Sequence, residues 1–290
     1  MSADPAPTVG ALSGLLVARL HRLMPAGPRL DRLTADLADA FAGHREPIDA
    51  AGCRAVQAVA NRHSRHLELH FDAAATARPD EEPRGWPPPE PAAVRRRAAG
   101  VTTVRRHDST CVLTLDSLEP YGIARPYLDA AWTLAHGSER LVLDLRDNGG
   151  GDPATVAGIA GRLLGDEARH LSDVLYRDRR RQWWTTDLPA GSALTQPVTV
   201  LVGPRTYSSG EALAYHLQAR GRVTVVGEPT RGAADHVTPV RLTRQVLGFL
   251  PEAEVRDAAT GGNWEGTGVL PDVVHPHAGA LEAALRTPVG

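Results

Sequence analysis

The chain has 290 residues, 42% hydrophobic and 23% charged, which suits one large globular domain or two smaller ones. A net charge of −2 gives no sign of a nucleic-acid or anionic-membrane partner. All 32 basic residues are Arg, so no mechanism built on a lysine base or Schiff base is open to it.

In chain order, Leu12, Leu16, Leu20 and Leu23 recur at helical spacing, as do Leu30, Leu33, Leu37 and Phe41. A third helix is expected over Ile48–Asn61, and HLELHF (His66–Phe71) alternates like a short strand. Residues 1–72 thus read as a small helical-bundle domain. The apolar run Ala11–Ala18 is broken by Ser13 and Gly14 and has no basic leader. The expectation is therefore a cytoplasmic protein with no membrane partner. Residues 73–100 are rich in Pro and charge and read as a linker.

From residue 101 to 290, continuous apolar strands alternate with helices. Strands are expected at Thr110–Ser117, Arg140–Leu145, Pro197–Gly203 and Arg222–Glu228, with two more within His236–Leu250. Helices are expected at Ala124–Ala135, at Pro153–Leu164, after Ser208, and at Ala278–Leu285. This is the pattern of a mainly parallel α/β sheet covered on both faces. Cys53 and Cys111 stand far apart in apolar surroundings, as buried free thiols would.

Chemistry concentrates in a few segments. RTYSSGEALAY (Arg205–Tyr215) puts Ser208 and Ser209 at a helix start, where developing negative charge is favoured. Ser208-x-x-Glu211 is also a capping box, so a nucleophile and a plain cap both stand. RDNGGGDP (Arg146–Pro153) can turn successive N–H groups toward an oxyanion. It can equally be a tight turn, or a dinucleotide loop through Gly149-x-Gly151-x-x-Ala154. The acidic residues that last reading needs, Asp166 and Glu167, end a helix instead of a strand.

His236 in TRGAADH is a candidate base or a loop histidine. In TGGNWEGTGVLPDV, Trp264 is a candidate substrate-binding wall and Glu265 a candidate carboxylate, or the segment is a structured turn with Trp264 packed and Glu265 solvated. Together with Trp264, Trp183 or Trp184 would line an apolar crevice. His63, His66 and His70 invite a metal reading, but one of them as a base is more economical, and neither a metal nor a cofactor is expected. Nucleophile, base, carboxylate and oxyanion hole together are the parts that acyl transfer requires.

The ordered set LVLDLRDNGGG, PVTVLVGPRTYSSGEALAY, RVTVVGEPTRGA and NWEGTGVLPDV resembles the serine peptidases that include carboxyl-terminal (tail-specific) processing proteases, the tricorn core protease and interphotoreceptor retinoid-binding protein. The resemblance implies a crotonase-like ββα fold. It makes Ser208 the nucleophile and Gly149, Gly150 and Ser209 the oxyanion hole. The processing-protease lysine falls at Ala233, so the Ser–Lys dyad is absent. The tricorn-like branch implies His66 as base and Glu265 as its orienter, with His236 as second choice for base. There is no room for a PDZ module between linker and sheet. The implied substrate is a peptide or related acyl compound. A non-catalytic carrier of a hydrophobic small molecule is the alternative on the same fold.

Overall fold

The computed structural model describes residues 7–75 and 85–286. The central part of the expected linker, residues 76–84, and both chain ends, 1–6 and 287–290, lie outside them. The chain divides into two units: Met1–Pro88 with Val174–Arg181 and Asp235–Val255, and Pro89–Asp173 with Gln182–Ala234 and Arg256–Gly290. The first unit is therefore not confined to residues 1–72. It takes two later segments of chain, both of which contribute strand residues to it.

In the first unit, α1 (Val9–Leu23) is capped by Thr8, whose side chain accepts from the Ala11 N–H. Pro28 opens α2 (Pro28–Phe41), and Asp49 caps α3 (Ala50–Ala60) through the Gly52 N–H. Leu12, Leu16, Leu20, Leu33 and Leu37 are fully buried. Each such side chain contributes roughly 1.5–3 kcal/mol through burial. They share one core with Leu69 of β1 (Glu68–Phe71), with Val240 of β9 (His236–Arg241), and with Val246 and Leu250 of β10 (Val246–Asp257). These strands pair antiparallel, with His70 opposite Leu247 and Phe249 opposite Pro239. The unit is thus three helices against strands, and β1 begins at Glu68. His66 lies in the turn before it, held by side-chain bonds that a strand would not leave free.

The second unit opens with a short helix, α4 (Pro91–Arg96), inside the expected linker; Glu90 caps it through the Ala92 and Ala93 N–H groups. A six-stranded sheet follows in the order β11-β8-β7-β4-β3-β2. Its strands are β2 (Val101–His107), β3 (Thr110–Leu115), β4 (Arg140–Asp144), β7 (Val198–Val202), β8 (Val223–Gly227) and β11 (Val273–Val274). Only β2 runs antiparallel to its neighbour. The helices are α5 (Tyr121–Ala135), α6 (Pro153–Leu164), α7 (Ser209–Gln218) and α8 (His277–Arg286). On one face Ala280 and Ala284 of α8 pack with Val112, Val142, Leu201 and Val226.

The register has a functional consequence. Asp144 pairs with Leu201, and Val202 with Gly227, so β4, β7 and β8 end along one edge. The loops that follow them leave from that edge, which is where parallel sheets place their sites. Two strands, β5 (His170–Tyr176) and β6 (Arg180–Trp184), were not expected from the sequence. Their second half is RRQWW with almost every side chain exposed, so no apolar alternation marks it.

Candidate active site

The turn from β7 into α7 is built from buried polar groups. Thr206 is fully buried; its hydroxyl donates to the Leu145 carbonyl at 2.8 Å and accepts from the Gly203 N–H at 3.0 Å. Asn148, also fully buried, donates through its side-chain amide to the Leu115 carbonyl at 2.8 Å, and its backbone carbonyl accepts the Tyr207 N–H at 2.9 Å. These bonds fix the RDNGGG and RTYSSG turns side by side.

Ser208 then adopts φ 53°, ψ −120°, one of four described non-glycine residues with positive φ. Such a conformation costs about 1–3 kcal/mol and persists only where neighbours enforce it. Here the Ser208 N–H donates to the Glu211 carboxylate at 2.8 Å, the acidic half of the expected capping box. Gly150, at φ 90°, lies directly against the serine. A Cβ there would stand 2.8 Å from Ser208 Cβ and 2.9 Å from the Tyr207 carbonyl. Only glycine permits that approach.

The expected oxyanion donors divide. The Gly149 N–H is committed to the Asp116 carbonyl at 3.0 Å, so Gly149 anchors the turn to the segment after β3 instead of presenting a donor. The Gly150 N–H donates to Asn148 Oδ1 at 2.9 Å, beside the serine. Ser209 is the first residue of α7, and its hydroxyl donates to the Gly151 carbonyl at 2.7 Å. The dinucleotide reading does not fit. Asp152 caps α6, accepting from Ala154 N–H at 2.9 Å and Tyr121 N–H at 3.0 Å, so a carboxylate sits where a pyrophosphate would need those donors.

Glu211 does far more than cap. It is fully buried and accepts four hydrogen bonds: Ser208 N–H, Thr230 hydroxyl (2.6 Å), Gly232 N–H (2.6 Å) and Ala233 N–H (3.0 Å). Burial pushes its pKa up, against the opposing pull of those donors. One carboxylate thus joins the serine turn to the loop after β8.

Glu265 accepts the Ala234 N–H at 2.7 Å, next along the same loop. Trp264 does not form a wall. It is 2% exposed, donates from Nε1 to the Ala233 carbonyl at 3.2 Å, and packs against Tyr215 and edge-on to His216. Of the other tryptophans considered, Trp184 is exposed and stacks on His170. Beneath Trp264, His216 Nδ1 lies 2.7 Å from Asp257 Oδ2, which Arg220 also contacts at 2.7 Å.

The histidines expected as bases belong to the first unit. His66 Nδ1 lies 2.5 Å from the Asp235 carbonyl. A carbonyl only accepts, so the proton sits on Nδ1 and Nε2 carries the lone pair. Burial lowers the His66 pKa, against the opposing pull of that carbonyl. His236 Nδ1 is 3.1 Å from Glu252 Oε1 and stands edge-on to Tyr176. His63 Nε2 pairs with Asp36 at 2.8 Å and His70 Nε2 with Glu68 at 3.2 Å, so the three histidines expected together go to separate partners.

The sequence profile of peptidase family S41 matches residues 110–275, from β3 to β11. A carboxyl-terminal-processing protease of Picosynechococcus sp. (strain ATCC 27264 / PCC 7002 / PR-6) is 38% identical over 145 residues, 43% of this chain and 34% of that protein. The aligned stretch thus spans about a third of that relative's length. Among solved structures, a Parabacteroides merdae protein described as a candidate peptidase superposes with TM-score 0.64 at 15% identity, covering 96% of each chain. A lipoprotein of Streptococcus agalactiae superposes with TM-score 0.59 at 16% identity, over 98% of this chain and 97% of its own. These two likenesses concern the fold.

Proposed function

The chain belongs to peptidase family S41, and from that premise we propose that it is a serine-type peptidase acting through an acyl-enzyme on Ser208. The sheet unit is read as a crotonase-like domain. The observation that carries the proposal is the strained serine. Ser208 holds φ 53° at the start of α7 with the Gly150 backbone against its Cβ. A strand-to-helix turn of this kind exposes a nucleophile and surrounds it with backbone N–H donors.

In the proposed mechanism His66 Nε2 takes the Ser208 hydroxyl proton as Oγ attacks the carbonyl carbon of a peptide or related acyl substrate. The carbonyl oxygen becomes an oxyanion held by the N–H groups of Ser209 and Gly150, the latter exchanging Asn148 Oδ1 for the substrate oxygen. Each such donor is worth ~3 kcal/mol at the transition state. His66 then returns the proton to the leaving amine, and water repeats the sequence to release the acid. Glu265, held by the Ala234 N–H, is the supporting carboxylate. It is proposed to orient the imidazole together with the Asp235 carbonyl, which accepts from His66 Nδ1.

Intact-mass analysis after a fluorophosphonate tests this reading on wild type, Ser208→Ala, His66→Ala and His236→Ala. Wild type and His236→Ala are expected to gain one adduct, and the other two none. A wild type that stays unlabelled while a control hydrolase reacts would overturn the enzyme reading.

A further inference from the structure

Asp235 grips the turn that carries His66 at two points. Its backbone carbonyl meets His66 Nδ1 at 2.5 Å, and its carboxylate Oδ2 accepts the hydroxyl of Ser64, two residues earlier, at 2.8 Å. The other carboxylate oxygen accepts from Arg29 Nη2 at 2.7 Å. Asp235 is 1% exposed and Ser64 fully buried, so these bonds are not diluted by solvent. From inside the turn, the Asn61 amide donates to the carbonyls of Ser64 (2.7 Å) and Leu67 (2.8 Å). The segment Asn61–Leu67 is therefore pinned from both sides, and the imidazole leaves it in a fixed direction.

We propose that Asp235 is the positioning residue of the base. Its carbonyl fixes the Nδ1–H tautomer of His66, and its carboxylate, held by Arg29 and Ser64, keeps that carbonyl where the ring needs it. An uncharged acceptor at Nδ1 suits both protonation states. It holds the neutral ring with Nε2 as the base, and it continues to accept the same proton when Nε2 is protonated. The catalytic consequence rests on the proposed function, whereas the tautomer rests on the bonds to Asp235 alone.

The test is ¹⁵N NMR of histidine-labelled protein alongside fluorophosphonate labelling rates, for wild type, Asp235→Ala, Asp235→Asn and Ser64→Ala, with circular dichroism confirming each fold. Wild type is expected to show His66 protonated on Nδ1. Asp235→Ala should mix the two tautomers and slow labelling about tenfold or more, part of a general base's usual contribution. Asp235→Asn should recover part of both, because its amide oxygen still accepts from Ser64. If Asp235→Ala fails to fold, Ser64→Ala gives the same reading more gently, by removing one grip on the carboxylate. A wild-type His66 protonated on Nε2 overturns the proposal, as do wild-type tautomer and rate in both Asp235→Ala and Ser64→Ala. Loss of the Nδ1–H tautomer in the variants supports it even if wild type proves unreactive, an outcome that would remove the nucleophile and leave the inference standing.

Discussion

His216 and His66 each place Nδ1 against an aspartate residue, 2.7 Å from the Asp257 carboxylate and 2.5 Å from the Asp235 carbonyl. By the charge of its partner the first ring looks more like half of a catalytic dyad. Yet His216 and Asp257 have side chains 4% and 0% exposed, Arg220 shares the same carboxylate oxygen, and the ring faces Trp264. No substrate reaches it. His66 has the weaker acceptor but sits in a partly exposed turn. The difference teaches that access, and not the strength of the partner at Nδ1, is what would set the proposed base apart from a structural histidine. Both rings have their pKa lowered first by burial, so titration alone would not tell them apart.

Substitutions can break the comparison. The largest effect is expected at the proposed nucleophile: Ser208→Ala should lower peptidase turnover by about 10⁴-fold or more while leaving the melting temperature near wild type. His66→Ala should cost about 10²–10⁴-fold in kcat with a similarly small thermal shift. His216→Ala should do the reverse. Removing a buried donor to Asp257 costs on the order of 1–3 kcal/mol of stability, read as a lower urea midpoint, with labelling of the folded protein kept. Equal loss of labelling in both histidine variants would erase the distinction drawn here.

A smaller effect separates the two by pH. Because the folded-state pKa of His216 is depressed, its neutral form contributes stability above 6.5, and that contribution is lost as pH falls through the lower folded value. Asp257 adds a second loss further into acid. Burial would raise its pKa, but the bonds from His216 and Arg220 hold it well below the ordinary 3.8. His216→Asn should therefore flatten the fall in melting temperature just below 6.5. The acid limb of the labelling rate, which follows His66, should stay where it is, with its inflection also below 6.5. A limb that moves with His216 would mean the wrong ring has been called the base.

Much of the second unit was legible because buried parallel strands read as continuous apolar runs, and RLVLDL and PVTVLVG do so plainly. The convergence of three loops was not, since it follows from the register of β4, β7 and β8, which no single run encodes. β6 escaped because its outward Arg side chains mask the pairing. For Trp264 the wall and the packed side chain both stood open, because an aromatic among glycines fits either. Its indole N–H finds a partner 31 residues away in sequence, beyond the reach of any local pattern. Glu211 was read only as a cap for the same reason: three of its four donors come from the Thr230–Ala233 loop. His66 stood out as base through family resemblance, whereas its grip by Asp235, just before β9 and far along the chain, had no trace in the histidine spacing.

The loops Thr230–Ala234 and Trp264–Val269 touch backbone to backbone. Gly266 N–H donates to the Gly232 carbonyl at 2.8 Å and Val269 N–H to the Thr230 hydroxyl at 2.7 Å, and a Cβ on Gly268 would stand 2.2 Å from the Thr230 carbonyl. For anyone recombining homologous chains, these two stretches form a single transplantable part despite the 29 residues between them. A chimaera that exchanged one without the other would bring a side chain, or a missing donor, into a seam with no slack. The fold is therefore expected to tolerate an exchange of both loops together better than an exchange of either alone.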